Sequence, residues 1–291
     1  MNPANLLQRE FDVGACFRCK IRQHRARRPQ VDAAIGVLWA AALACRQRSG
    51  VPRASPALWL YCRPAARKAQ RVELRLRVKA GKGEAEQIVW VRPDFVDLTD
   101  HETLVELPEE LLACAGRMWA LAVRSTLLKA MPAGLGAFTG MQSLILHRCS
   151  GLTALPAGLG ALTGLQRLDL PNCSGLTALP KELEALTGMQ SLILCSCVGL
   201  TALPKELEAL TGLQDLVLHE CSGLTALPAG LGALTGLRKL VLSLCSGLTA
   251  LPAELGALTG LRKLDLRNCR ALHTPPPRVV DAGTEIGRAH V

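Results

Sequence analysis

The sequence predicts an α/β solenoid: a curved parallel β-sheet on the concave face, short helical or 3₁₀ segments on the convex face, about eight 24-residue repeats, and an N-terminal β-hairpin cap. Three observations predict it. A proline recurs every 24 residues, at Pro108, Pro132, Pro156, Pro180, Pro204, Pro228, Pro252 and Pro276. A fixed frame travels with it, seen cleanly in Leu165-x-x-Leu168-x-Leu170-x-x-Cys173-x-x-Leu176-x-x-Leu179-Pro180-x-x-Leu183-x-x-Leu186. A period in the twenties marks stacked coils that bury their apolar faces only against their neighbours. Composition agrees: 49% of residues are hydrophobic but only 3% aromatic, and no aromatic follows Phe138. Leucine must carry the packing, at about 1.5–3 kcal/mol per buried side chain before entropy.

Residues 1–71 form a basic Ala/Arg-rich leader, with 14 Lys+Arg against Glu10, Asp12 and Asp32. No period is sustained there, and poor order is expected, apart from a helix over 33–48 capped by Asp32. The longest apolar run, 33–45, falls short of the roughly 20 residues that span a bilayer. The Arg- and Ala-rich composition also admits a plastid or mitochondrial presequence, with the cytoplasm as the main expectation. Cys16-x-x-Cys19 with His24, followed by Cys45 and Cys62, is a fragment of zinc-ligand spacing. A structural site needs a second pair, so no metal is expected.

Residues 72–79 alternate apolar and charged side chains, the strand signature. A turn over 80–83 and a second strand over 87–91, stopped by Pro93, complete the hairpin cap at 72–93. It would cover the open end of the leucine stack. The repeat array follows over 94–285. Val96-Asp97-Leu98 aligns with Leu168-Asp169-Leu170, and the degenerate second unit places its strand over 120–123. Six regular units carry leucine pairs at 144/146, 168/170, 192/194, 216/218, 240/242 and 264/266, which makes eight strands. On the convex side, units rich in glycine should be irregular, and 181–184 and 205–208, with Lys-Glu-Leu-Glu, should make better helices. The array stops mid-unit, and residues 286–291 read as the translation of a sequencing adapter, outside the fold.

Six cysteines, Cys149, Cys173, Cys197, Cys221, Cys245 and Cys269, fall 24 apart at one frame position. Stacking turns them into an internal column. A thiol there packs as a small hydrophobe and bonds loop backbone weakly. Side chains pointing in parallel fit a disulfide poorly. The column is read as structural, and persistent free thiols favour a reducing compartment.

No catalytic or cofactor-binding residue is expected. Gly134-x-Gly136-x-x-x-Gly140 follows a convex turn and has one residue too many for a dinucleotide loop. His147 and His219 lack a carboxylate partner at fixed spacing, apart from Glu220 beside His219. The variable concave positions remain as a partner-binding face: His147, Arg167, Asp169, Ile193, Asp215, Val217, His219, Lys239, Val241, Lys263, Asp265 and Arg267. Its middle is mildly apolar. Its C-terminal end turns basic through Arg238, Lys239, Arg262, Lys263, Arg267 and Arg270, which suits an acidic protein partner. Nucleic acid is expected only through the basic leader.

The frame, and above all Gly164-Leu-Gln-Arg-Leu-Asp-Leu-Pro-Asn-Cys-Ser-Gly-Leu-Thr-Ala-Leu-Pro180, resembles the leucine-rich repeats of plant intracellular disease-resistance receptors and of Ras-group-related repeat proteins. The resemblance covers about 94–283. It implies a solenoid that binds protein through its concave sheet, without catalysis, in intracellular signalling. An alternative is the recognition part of a larger immune-type receptor or ubiquitin-ligase adaptor. The nucleotide-binding module that precedes the repeats in such receptors has no counterpart in this sequence, so ATPase activity is not implied.

Overall fold

Leucines two apart in each repeat point to one side of an extended segment, and that alternation sets the architecture. The computed structural model describes residues 72–80, 83–273 and the strand 285–287, all within the unit Ala69–Val291. The helix expected over 33–48 and the Cys16/Cys19 pair lie outside the described residues.

The cap comprises β1 (Val72–Ala80) and β2 (Gly83–Val91), antiparallel over their whole length. β2 starts four residues earlier than the alternation indicated. Arg77 and Arg75 reach Glu84 and Glu86 across the ladder at 3.8 and 4.0 Å, so charged cross-strand pairs prolong the hairpin toward its turn. β1 also pairs with a short strand of the first repeat, β4 (Leu104–Glu106), giving a three-stranded sheet in the order β2-β1-β4. Leu74 and Leu76 are fully buried and join the leucine core, which closes this end of the stack.

The solenoid sheet is parallel. β3 (Phe95–Leu98), β5 (Ala120–Arg124), β6 (Ser143–His147), β7 (Arg167–Asp169), β8 (Ser191–Ile193), β9 (Asp215–Val217), β10 (Lys239–Val241) and β11 (Lys263–Asp265) follow one another in spatial order. These are the eight repeat strands. β12 (Glu285–Gly287) adds a ninth in parallel register beside β11, across the point where the sequence reading ended the array. Register is strict: Leu144, Leu168, Leu192, Leu216, Leu240 and Leu264 stack as partners from β6 to β11. A slip of one residue would turn this leucine set outward, so burial pins the pairing.

The convex side carries the expected 3₁₀ turns but not the expected difference between units. Glycine-rich Ala157–Ala161 and Glu-rich Lys181–Ala185 and Lys205–Ala209 form the same five-residue 3₁₀ turn. Each opens on a proline near φ −70° and closes with a bond such as Leu159 N–H to Pro156 O at 3.0 Å. The roughly 1 kcal/mol that glycine costs a helix acts over too few residues to show. Leucine spacing and the neighbouring coils fix the turn instead.

Two further columns make the rungs fit. Arg148, Asn172, Ser196, Glu220, Leu244 and Asn268 all have φ between 55° and 65°, the left-handed region. Gly175, Gly199, Gly223 and Gly247 lie so close to the preceding coil that a Cβ would collide with the carbonyl oxygens of Ser150, Ser174, Val198 and Ser222.

Candidate partner-binding surface

The strand positions between the inward leucines form three adjacent columns on the concave face. One runs Ser143, Arg167, Ser191, Asp215, Lys239, Lys263; the next runs Ile145, Asp169, Ile193, Val217, Val241, Asp265. The third runs from His147, the last residue of β6, through Pro171, Cys195, His219, Ser243 and Arg267, which lie just past the shorter strands. Neighbouring strands stand about 4.8 Å apart. Thus each side chain has its counterpart from the next repeat within contact range.

At the N-terminal end, Arg167 donates to Asp169 along its own strand at 2.8 Å. Burial nevertheless holds the Asp169 carboxyl above its usual range. His147 sits opposite Arg124, which pairs with Glu102 at 2.9 Å. Burial, with Arg124 and Arg148 nearby, lowers the His147 pKa. In the middle, Val217 and Val241 are buried, so of the apolar candidates Ile193 offers more surface. His219 shares a 2.8 Å hydrogen bond between Nδ1 and the Ser243 hydroxyl.

The C-terminal end is basic. Lys239 stands directly opposite Lys263. Arg262 N–H donates to Arg238 O at 2.8 Å, which places those two exposed arginines on consecutive rungs as well. Burial lowers the Lys239 pKa; Asp215 acts against this and Lys263 with it. Asp265 is itself buried. Burial pushes its carboxyl up, but Arg267 overrides this with contacts of 2.9 and 2.7 Å and holds it below its ordinary value. Asp265 is thus engaged by Arg267, just past its strand, and also attracts Lys263 and Lys239. Like charges opposite one another on a sheet repel, and an anion laid across them relieves the strain.

The six column cysteines are buried, and five donate to a carbonyl of the preceding coil: Cys173 to Leu146 at 3.2 Å, Cys197 to Leu170 at 3.1 Å, Cys221 to Leu194 at 2.9 Å, Cys245 to Leu218 at 3.0 Å and Cys269 to Leu242 at 2.9 Å. Cys149 lies 3.7 Å from His147 O. Burial pushes the Cys197 and Cys245 thiols up to about 12. A thiolate is disfavoured there, so these sulfurs are poor nucleophiles. Among the described residues no group of His, Cys, Asp and Glu is placed to hold a metal ion, and no helix is long and apolar enough to cross a membrane.

Parallel rungs at a 24-residue period, inward leucines and 3₁₀ turns decide the architecture. The fold is the leucine-rich-repeat solenoid. No family model and no curated protein matches the chain. Among solved structures, the leucine-rich repeat domain of the type III effector XopL is similar, with 29% identity and a TM-score of 0.57. The match covers 64% of this chain and 65% of that one, just under two thirds of the XopL domain. A leucine-rich repeat protein of Leptospira interrogans is 23% identical over 59% of this chain and 54% of that one, with a TM-score of 0.31.

The sequence reading missed two features of the leucine-rich-repeat array. Arg124, at the end of the degenerate second strand, carried no frame leucine to mark it, yet it adjoins His147. A groove of about 260 Å³ along the rim is lined by Val198, Glu220, Leu244 and Arg270 among others. Its residues flank the cysteine frame position. The signal that could have found this rim is the pair Asn172 and Asn268, since asparagine tolerates positive φ.

Proposed function

We propose that this chain is a non-catalytic protein-interaction scaffold that takes an acidic protein segment across the C-terminal end of its concave sheet, in intracellular signalling. One observation carries the reading: Lys239 over Lys263 and Arg238 over Arg262 set like charges on consecutive rungs. An extended acidic segment crossing β9 to β11 would meet one rung about every 4.8 Å. The neighbouring Asp265 is already engaged by Arg267. Protein binding on an open sheet is also the general use of the leucine-rich-repeat fold, and the resemblance to disease-resistance and Ras-group-related repeats points the same way. Free buried thiols along the array suit a reducing compartment, and so a cytoplasmic setting.

The test uses the whole chain and a fluorescent Asp/Glu-rich peptide. Anisotropy should show binding that weakens with salt and falls about tenfold or more in the Arg262→Glu, Lys263→Glu double variant. Binding indifferent to that reversal overturns the assignment of this end. A second reading makes the array the recognition part of a larger receptor or ubiquitin-ligase adaptor. The observation on its side is that the XopL repeats are likewise one domain of an effector.

A further inference from the structure

The cap hairpin offers a surface unrelated to the concave face. β2 is the outer strand of its sheet: it pairs with β1 on one side, and among the described residues no strand pairs with its other side. Backbone direction follows from register. Lys79 N–H donates to Thr103 O at 2.9 Å, on the β4 side of β1. Its opposite number, Glu84, therefore belongs to a pair that shares no hydrogen bond across the hairpin. By alternation Glu84, Glu86, Ile88 and Trp90 all turn their backbone N–H and C=O toward the open edge. Their side chains point away from the leucine core. Ile88 is 57% exposed and Trp90 56%, the most exposed large hydrophobic residues among those described. A nine-residue open edge with such side chains is a template for another strand.

The charge pattern selects the partner. Arg75 and Arg77 are shared among Glu73, Glu86, Glu84 and Glu106 at 2.9 to 4.0 Å, and Lys79 stands opposite Glu84, so the face has little surplus charge with which to draw an acidic or basic segment. It does suit itself. We propose that β2 of one chain pairs antiparallel with β2 of a second copy, joining the two caps into one six-stranded sheet about a two-fold axis near Gln87. In that arrangement Glu84 faces Trp90 of the second copy and Glu86 faces its Ile88. The acidic half of each strand thus meets the apolar half of the other, and no acid faces its own copy. Such an isologous contact closes on itself and stops at a dimer.

Sedimentation equilibrium of the full chain over a micromolar concentration series tests this. The expected result is a monomer–dimer equilibrium whose dissociation constant rises at least about tenfold in Ile88→Lys and in Trp90→Lys. Both positions are exposed, so far-ultraviolet circular dichroism should be unchanged. Ile88→Pro removes an edge N–H while sparing the β1 ladder, and should weaken the dimer equally. A chain that sediments as a monomer throughout overturns the proposal and leaves this edge to a different protein. A dimer that survives all three substitutions overturns it too.

Discussion

Cys221 offers the sharpest measurement of what the thiol column contributes. It is fully buried, and its sulfur donates to Leu194 O at 2.9 Å. Cys221→Ala removes the sulfur and the donor together. Lost burial and the small void it leaves come to about 1–1.5 kcal/mol, and the lost hydrogen bond to about 0.5–1. The total is about 2 kcal/mol, softened because Leu194 O keeps a long bond of 3.4 Å from Cys197 N–H. Cys221→Ser keeps a donor. The protein contains its own precedent at the corresponding position one repeat before Cys149, where Ser125 is fully buried, donates to Leu104 O at 2.5 Å and accepts Leu127 N–H at 3.1 Å. The serine variant should therefore lose no more than about 1 kcal/mol. Cys221→Val, which fills the space but cannot donate, should fall between the two. Guanidinium unfolding of the full chain, with equal m-values across the set, reads the order directly. If serine costs as much as alanine or more, the column holds by packing alone and the carbonyl contact contributes nothing.

Gly223→Ala should destabilise by about 1–3 kcal/mol in the same assay, because the new methyl meets the Val198 carbonyl and backbone cannot give as a side chain can. Leu244→Asn relieves the strain of φ 65° but gives up a side chain that is only 39% exposed, so the two should nearly cancel, to within about 0.5 kcal/mol. Cys197 and Cys245 have pKa values raised to about 12 from 9.0. Their contribution is therefore complete below about pH 9 and is lost as pH climbs from there toward 12, because the unfolded chain releases the protons first. The guanidinium midpoint should drop between pH 8 and pH 10, and the drop should shrink in the Cys197→Ser, Cys245→Ser double variant. Alkylation followed by peptide mapping of the native protein should label half-buried Cys195 before any of the six column cysteines.

What the sequence disclosed, and what it withheld, divides along a physical line. The 24-residue frame placed the regular repeat strands because inward leucines leave register no freedom, whereas the degenerate strand Ala120–Arg124 sits one residue off the frame, with Leu121 beside Leu144. The spacing of the cysteines placed their column for the same reason. The difference expected between Gly-rich and Glu-rich convex turns is absent because helix propensity is a per-residue bias of at most about 1 kcal/mol, and five residues between a proline and a buried leucine cannot express it. Among the concave candidates, the frame said which side chains point out of the coil but not how far neighbours would cover them. Val217, Val241 and Asp265 point to the concave side and are nonetheless buried by adjacent rungs. The Arg124–Glu102 ion pair was likewise invisible, since it joins two irregular repeats that share no alignment.

The same division separates the repeated leucine column from the positions left free to vary. Identical coils enforce identical neighbours, so a duplicated repeat carries the leucine column forward without change while leaving the concave columns to vary. Across β10 and β11 that variation put lysine over lysine and arginine over arginine. A sheet assembled for stability alone gains by alternating charge between rungs, as the cap does where Arg77 stands opposite Glu86 and where Arg75 and Arg77 reach Glu86 and Glu84 along the diagonal. Both patterns occur in one chain under one packing rule. The cap thus offsets its charges within one sheet, whereas the end of the array at β10 and β11 sets like charges side by side.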